Sequence, residues 1–345
     1  LLYARGFGWA DKERGIRMEP NMLMRFASVS KLITAVGIMK LQEMKKLKMN
    51  EKVFGPKGIL NDTTYNNSIK DQRYYNITVE QLLRHQAGFN NYAGDPVSST
   101  RYIMMQNRLT TPPDHKTLLK ILLKRHLGYT PGEGKCYSNL GYMILSMIIE
   151  KKSRMKYENF MQKYVLQPAG CYDMHIAGTY YKDRRPNETK YYMHQGSIPV
   201  YEYNNSGRMV EKCYGDTDLP RLSGAGAWCG SAAELSRLIA SIDGLPHVKD
   251  ILSQTRIQFM TTEQPDHQYS IGWNYTPKSN RPWIRTGSLA GTSAIVLKYP
   301  DGQCWILITN TSTWKGHGFS NDTMAFFEKL RKQFMADMPK KDLFI

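Results

Sequence analysis

The chain carries a serine and a lysine at a spacing that suits nucleophilic catalysis. Ser28 and Lys31 lie three residues apart, and apolar residues follow at helical spacing up to Met39. Residues one helical turn apart project from the same face, so the two side chains can meet. A serine hydroxyl needs a neighbouring base before it attacks a carbonyl, and the start of a helix favours a developing oxyanion. The spacing therefore predicts a serine nucleophile at the start of a buried helix.

Ser-x-x-Lys is a weak signal alone, because the chain has two more copies, starting at Ser153 and Ser312. Neither copy opens a long apolar helix. Two further motifs strengthen the case for Ser28. Tyr137-Ser138-Asn139 lies between a Pro/Gly turn and an apolar helix, and Arg285-Thr286-Gly287-Ser288 joins two strand-like runs. Three weak motifs at element boundaries, in this order, indicate one shared active site.

These motifs resemble those of the penicillin-recognising serine hydrolases. The resemblance is strongest to the branch that holds class C β-lactamases, D-alanyl-D-alanine carboxypeptidases and related esterases. It covers nearly the whole chain and includes four further segments: residues 25–28, 82–88, 224–228 and 287–293. Arg285 departs from the Lys or His that is usual in the family. The chain begins at a segment that resembles the family's second strand, so we expect the preceding helix and strand to be missing.

The resemblance implies an acyl-enzyme mechanism in which Ser28 attacks and Lys31 with Tyr137 takes its proton. The backbone N–H groups of Ser28 and Ser288 would form the oxyanion hole. Five residues are expected to bind substrate: Asn139, Arg285, Thr286, Gly287 and Ser288. The expected substrates are D-Ala-D-Ala-type peptides, β-lactams or related amides. An esterase and a non-catalytic penicillin-binding or sensor protein remain alternatives, and no cofactor is expected.

Composition excludes little but agrees with an enzyme. The chain has 345 residues, 41% of them hydrophobic, which is enough to bury a large core. Its net charge of +17 is spread along the sequence without a nucleic-acid-binding signature, so we expect no nucleic-acid partner. No apolar run is long enough to span a membrane. The five cysteines lack Cys-x-x-Cys spacing and the eight histidines lack His-Glu-x-x-His, so no metal site is predicted. We expect an exported protein of the bacterial periplasm or cell envelope that acts on a small molecule or peptide, with cell-wall peptides among the candidates.

The pattern of elements predicts one α/β (α+β) catalytic domain over residues 1–345. Residues 1–50 and 220–345 are expected to contain an antiparallel sheet flanked by helices, and residues 51–219 to form a mainly helical region beside it. His85 is interpreted as a structural residue at a helix end. Strands are predicted at 1–9, 22–26, 269–274, 283–286, 293–299 and 304–309, and helices from Ser28 and Thr78 and at 113–127, 140–151, 157–164, 232–242 and 321–335. Residues 178–215 are predicted to be a long surface excursion.

Overall fold

The computed structural model describes residues 1–92, 94–263, 269–313, 315–316, 318–334, 337 and 342. Among these residues, three short strands precede a run of seven α-helices, and strands and helices are mixed in the rest of the chain. The α-helices, α1 to α11, are Ser30–Glu43, Thr63–Asn66, Val79–Leu83, Thr100–Gln106, His115–Leu122, Asn139–Ser153, Tyr157–Met161, Leu219–Leu222, Ala232–Ala240, Gln254–Thr261 and Gly318–Phe334. The strands, β1 to β10, are Trp9–Asp11, Ile16–Arg17, Met24–Arg25, His175–Ile176, Val200–Tyr201, Met209–Val210, Trp228–Gly230, Trp283–Leu289, Thr292–Lys298 and Cys304–Thr309.

Two helices form the centre of the core. Eleven of the fourteen residues of α1 are buried, and α6 is buried from Leu140 to Ile149. Helices that are apolar on all sides must be surrounded by protein. They approach closely at Gly37, where an added Cβ would lie 3.2 Å from Ile149 Cδ1 of α6 and 2.5 Å from the Met161 sulfur of α7. The residues at the N-terminal ends of α1 and α6 are thereby held in fixed relative positions.

Strands β8, β9 and β10 form an antiparallel sheet in the order β10-β9-β8. Every residue of β9 is buried, because both faces of the sheet are covered. Ala294 and Val296 pack into the main core, whereas Ile295 and Leu297 pack against Phe327 of α11. The period of two along the strand thus divides β9 between two hydrophobic clusters.

A second antiparallel sheet has the order β3-β7-β4, and β1-β2 and β5-β6 are two-stranded. Strand β3 leads into the segment that contains Ser28, and β7 contains Trp228, which is fully buried. The indole N–H of Trp228 donates to the Tyr157 hydroxyl at 2.9 Å, so its burial leaves no unsatisfied donor. Among the described residues, no helix is long and apolar enough to cross a membrane.

The predicted antiparallel sheet with flanking helices is confirmed, but several boundaries were wrong. Residues 269–274 form no strand, because most of the segment consists of bends. A single β-bridge, between Tyr275 and Ile284, follows directly after it. The strand predicted at 1–9 was wrong, because only Trp9 lies in a strand, at the start of β1. The helix predicted over 113–127 ends with α5, and the one over 157–164 continues as a π-helix, Gln162–Leu166. Met335, the predicted end of the last helix, lies outside the described residues.

Candidate active site

Ser28 lies in the 3₁₀ turn Ala27–Val29, directly before α1, rather than in the first turn of the helix as predicted. The preceding residue, Ala27, has φ of 49°, a conformation that costs an L-residue energy. Strand β8 crosses close to this turn. A Cβ at Gly287 would lie 2.4 Å from the Phe26 carbonyl oxygen and 2.9 Å from the Ser28 nitrogen, so only glycine fits there. Gly287 therefore lets β8 approach the predicted nucleophile.

Lys31 is fully buried and reaches the Ser28 side chain. Its ammonium donates to Ser28 Oγ at 3.2 Å, to Asn139 Oδ1 at 2.5 Å and to the Ala225 carbonyl at 2.6 Å. The three N–H bonds of the ammonium group therefore have three acceptors, so its hydrogen-bonding capacity is satisfied. Burial lowers the pKa of Lys31; the nearby Tyr137 opposes that shift and the charge of Arg285 adds to it.

The backbone around Tyr137 is held from two sides. The Cys136 N–H donates to the His85 carbonyl at 3.0 Å, and the Ser138 N–H donates to His85 Nδ1 at 3.1 Å. The Asn91 amide donates to the Tyr137 carbonyl at 2.6 Å. Ser138 also caps α6, since its hydroxyl accepts from the Gly141 N–H. These bonds fix the direction of the Tyr137 ring, whose centroid lies 4.7 Å from Lys31 Nζ.

Tyr137 has an unusually acidic hydroxyl for a buried tyrosine. Burial alone would raise its pKa, but the charges of Lys31 and Arg285, with hydrogen bonds to Lys31 and Ser28, lower it to about 8. A phenolate is therefore accessible near neutral pH. Burial, with a smaller effect from the same two cations, holds the pKa of His85 well below its usual range. His85 is thus a neutral ring that positions Tyr137, in agreement with its interpretation as structural.

Arg285 points inward from β8 and is only 1% exposed. Its Nε donates to the Ser28 carbonyl at 2.8 Å, and its Nη2 contacts the same oxygen. Nη2 also donates to the Tyr137 hydroxyl at 3.2 Å. The guanidinium is therefore bonded to the Ser28 backbone and to Tyr137. The role of Arg285 as a ligand for a substrate carboxylate stays a prediction. That role would require an N–H group of the guanidinium that can still donate to the substrate.

The remaining predicted residues lie around the same centre. Asn139 is the first residue of α6 and contacts Lys31. The Thr286 N–H donates to Asn274 Oδ1 at 2.9 Å, on the edge of β8 that is not paired to β9. Ser288 follows two residues later, so its N–H points from that same edge. Ser288 is also exposed, which leaves it accessible to a ligand.

Sequence reasoning missed the residues that hold this arrangement. The Ala225 carbonyl binds Lys31, Asn274 orients Thr286, and Asn91 and Asp95 hold the Tyr137–Asn139 segment. A backbone carbonyl carries no side-chain signal, and asparagine side chains in loops resemble ordinary turn residues. Only the 82–88 segment, which resembles the family, pointed to His85.

The Beta-lactamase family profile matches residues 1–325 of this chain. The chain belongs to the Beta-lactamase family. Penicillin-binding protein 4* of Bacillus subtilis is 24% identical over 312 residues, which are 87% of this chain and 63% of that protein. The chain therefore spans about three fifths of the length of this curated relative.

Solved structures share the fold. A penicillin binding protein from Bacillus halodurans superposes with a TM-score of 0.71 at 18% identity, covering 94% of this chain and 91% of the other. A D-amino acid amidase from Ochrobactrum anthropi SV3 gives a TM-score of 0.70 at 18% identity, covering 94% and 90%. Both confirm the β-lactamase/transpeptidase-like architecture predicted from the sequence.

In this Beta-lactamase family member, the site is a polar cluster around Ser28. Two cavities formed by the described residues, of about 500 and 310 Å³, are not lined by Ser28, Lys31 or Tyr137. The hydroxyl of Ser28 is instead half-buried in a cluster with two cations and an acidic phenol. Such a cluster can activate a hydroxyl and stabilise negative charge.

Proposed function

We propose that this protein is a serine acyl hydrolase that forms an acyl-enzyme on Ser28. The observation that carries the proposal is the 3.2 Å hydrogen bond from Lys31 to Ser28 Oγ, beside a tyrosine with a pKa of about 8. Because Ser28 Oγ accepts from Lys31, its own proton is left for Tyr137. The Tyr137 phenolate takes that proton as Oγ attacks the carbonyl carbon, and Tyr137 then returns it to the leaving group.

The negative charge that develops on the carbonyl oxygen needs donors. We assign this role to the N–H groups of Ser28 and Ser288, because β8 lies close to the Ser28 turn and Ser288 points from its free edge. Asn139 lies beside Lys31 and is placed to bond a substrate amide. Water then releases the acyl group, with Tyr137 as the base for the water.

The direction of Arg285 bears on the substrate. Its guanidinium is buried against Ser28 and Tyr137, so binding a substrate carboxylate would compete with these bonds. We infer that small amides or esters without a carboxylate next to the scissile bond are the preferred substrates. A D-amino acid amide is one such compound, and the solved amidase that shares the fold carries that activity in its name.

A second candidate is hydrolysis of D-Ala-D-Ala-type peptides or β-lactams, the activity expected from the sequence. The hydroxyl-bearing Thr286 and the exposed Ser288 on β8 favour it, because hydroxyl groups can bind a carboxylate without Arg285. An exported protein of the cell envelope would fit this candidate.

The test combines labelling with a paired substrate comparison. Incubation with a fluorescent penicillin and with an activated acyl ester should give one adduct on Ser28, detected by mass spectrometry of peptides. Ser28→Ala should abolish the adduct, whereas Ser153→Ala, in a Ser-x-x-Lys copy elsewhere, should not. A persistent adduct in Ser28→Ala would refute the assignment.

The substrate class is then decided by kcat/KM for a D-amino acid amide and for a D-Ala-D-Ala peptide. Preference for the amide supports the first candidate, and preference for the peptide supports the second. A protein that is acylated but never releases its acyl group would be a penicillin-binding sensor rather than a hydrolase.

A further inference from the structure

A second cluster of reactive side chains lies in the sheet formed by β3, β7 and β4. Cys229 on β7 pairs with His175 on β4, and Glu188 comes from the loop beside β3. The exposed fractions are 4% for His175, 5% for Glu188 and 0% for Cys229. One ligand atom from each lies within 4.8 Å of the other two. This cluster is separate from the hydrolase site and is not used by the proposed mechanism.

The histidine is oriented as metal-binding histidines usually are. His175 Nδ1 lies 3.0 Å from the Asp173 carbonyl, and since a carbonyl can only accept, Nδ1 carries the proton. Nε2 is then left with a lone pair. Within the described part of the chain, this buried atom has no hydrogen-bond partner, and Glu188 Oε2 is 3.6 Å away. A backbone carbonyl that fixes one ring nitrogen while the other faces a ligand set is a common outer-shell arrangement.

The donor types select among metals. Ca²⁺ and Mg²⁺ prefer oxygen ligands alone, whereas an imidazole nitrogen, a carboxylate oxygen and a cysteine sulfur together suit Zn²⁺. A thiolate and a carboxylate also supply two negative charges for the two positive charges of the ion. The Tyr191 hydroxyl lies beside the set, 2.8 Å from Glu188 Oε1 and 3.9 Å from Cys229 Sγ. A fourth ligand can therefore come from this hydroxyl or from water.

Arg25 is the neighbouring charge that opposes a metal ion. Its guanidinium donates to the carbonyls of Cys213 and Gly178, and it lies 4.1 Å from the centroid of the Tyr191 ring. Within the described residues, the guanidinium makes no hydrogen bond to the three ligand atoms, because its Nη1 and Nη2 groups donate to these carbonyl oxygens and its Nε has no partner.

We propose that His175, Glu188 and Cys229 bind a structural Zn²⁺ ion. On binding, the Cys229 thiol releases its proton to solvent and its sulfur donates an electron pair to the metal. The ion would join β4, β7 and the loop that contains Glu188. The backbone carbonyl of Trp228, which precedes Cys229, accepts from the N–H of Phe26 at 2.8 Å. Phe26 lies two residues before Ser28. The metal would therefore brace the backbone that carries the nucleophile without touching substrate.

The experiment uses the intact chain, refolded from denaturant with either Zn²⁺ or a chelator, since a buried site is filled during folding. After dialysis, elemental analysis should find about one zinc per chain, and the melting temperature should be higher than in the chelator sample. Refolding with Co²⁺ should give a sulfur-to-cobalt charge-transfer band in the near ultraviolet. A protein with neither bound zinc nor this band would overturn the proposal.

Variants locate the ion. Cys229→Ser and His175→Gln should each lower zinc content at least tenfold at equal free zinc, and Cys229→Ser should abolish the cobalt–sulfur band. The matched control is Cys171→Ser, because Cys171 is also buried but lies outside the cluster. If the control loses zinc as well, or if Cys229→Ser keeps it, the site is not here. Should the variants fail to fold, the cobalt spectrum of the wild-type chain still decides whether a cysteine sulfur binds metal.

Discussion

Two polar clusters of the molecule, one around Ser28 and one formed by His175, Glu188 and Cys229, differ in the balance of their charges. The cluster around Ser28 holds two cations, Lys31 and Arg285, and the carboxylate of Asp95 accepts from a backbone N–H of α6. The second cluster holds a buried carboxylate, Glu188, with the positive charge of Arg25 nearby. An excess of positive charge makes a tyrosine acidic, whereas removing a buried carboxylate from its partners costs stability. The first cluster is suited to proton transfer and the second to support.

The largest expected effect breaks the first cluster. Lys31→Ala and Tyr137→Phe should each slow acylation of Ser28 by about 10²- to 10⁴-fold, because both remove part of the path for the same proton. The double variant should react at most about tenfold more slowly than the slower single variant, because the effects of residues that act as a unit do not add. Stopped-flow acylation with an activated ester measures this. Additive losses would mean that the two residues serve separate steps.

The second expected effect breaks the second cluster. Glu188→Gln keeps the shape and one acceptor for Tyr191 but removes the carboxylate charge that faces His175 Nε2 at 3.6 Å and accepts from the Tyr191 hydroxyl at 2.8 Å, so it should lower the free energy of unfolding by about 2 kcal/mol. Chemical denaturation measures the loss. The pH dependence of kcat/KM, measured well below the melting temperature, should stay as in the wild type. A shifted pH profile would show that the two clusters are coupled.

A smaller effect is expected at Arg285, whose positive charge belongs to the first cluster. Tyr137 acts as a base in its deprotonated form, so kcat/KM should rise with pH through a midpoint near the pKa of about 8. Arg285→Gln removes a positive charge, which raises that pKa and moves the midpoint to higher pH. A rise of about one unit would lower the rate at pH 7 roughly tenfold. Arg285→Lys should restore part of the shift. An unchanged midpoint in Arg285→Gln would refute the electrostatic role.

The smallest effect sets a scale for ordinary local structure. Thr78 and Gln81 form a capping box at the start of α3, where the sequence predicted that a helix begins. Thr78→Ala should cost about 1 kcal/mol of unfolding free energy and leave the pH profile unchanged. Thermal unfolding is the measurement. If Thr78→Ala lowers the free energy of unfolding as much as Glu188→Gln does, the second cluster stabilises the fold no more than an ordinary helix cap.

Local patterns predicted much of the fold. The strand over 304–309 was placed correctly, because its branched apolar residues follow a Pro-Asp-Gly turn. The capping box of α3 and the apolar run of α6 were equally local. In contrast, β7 was missed, since Trp228–Gly230 is too short to show a period and is held by β3 and β4 from distant parts of the chain. The segment 269–274 has the composition of a strand but no partner beyond one bridge.

The active site also has parts that local motifs predict and parts that depend on residues far away in the chain. The motifs brought Ser28, Lys31, Tyr137 and Asn139 into one prediction, and the structure places them in contact. The inward direction of Arg285 could not be predicted, because it depends on the Ser28 carbonyl, which is 257 residues away. The same is true of the second cluster. Residue spacing argued against a metal site, yet strand pairing sets His175 beside Cys229.

Ala27 gives the Ser28 turn a consequence for how this chain tolerates sequence drift. Its φ of 49° costs an alanine about 1 kcal/mol, which glycine would not incur. Glycine would, however, add roughly 0.5–1 kcal/mol of conformational freedom to the unfolded chain. The two effects nearly cancel, which leaves the fully buried Ala27 methyl as the difference between the two residues. A change to glycine would therefore lower stability by about 0.8 kcal/mol, the contribution of one buried methyl group, and would loosen the turn that holds the reacting serine.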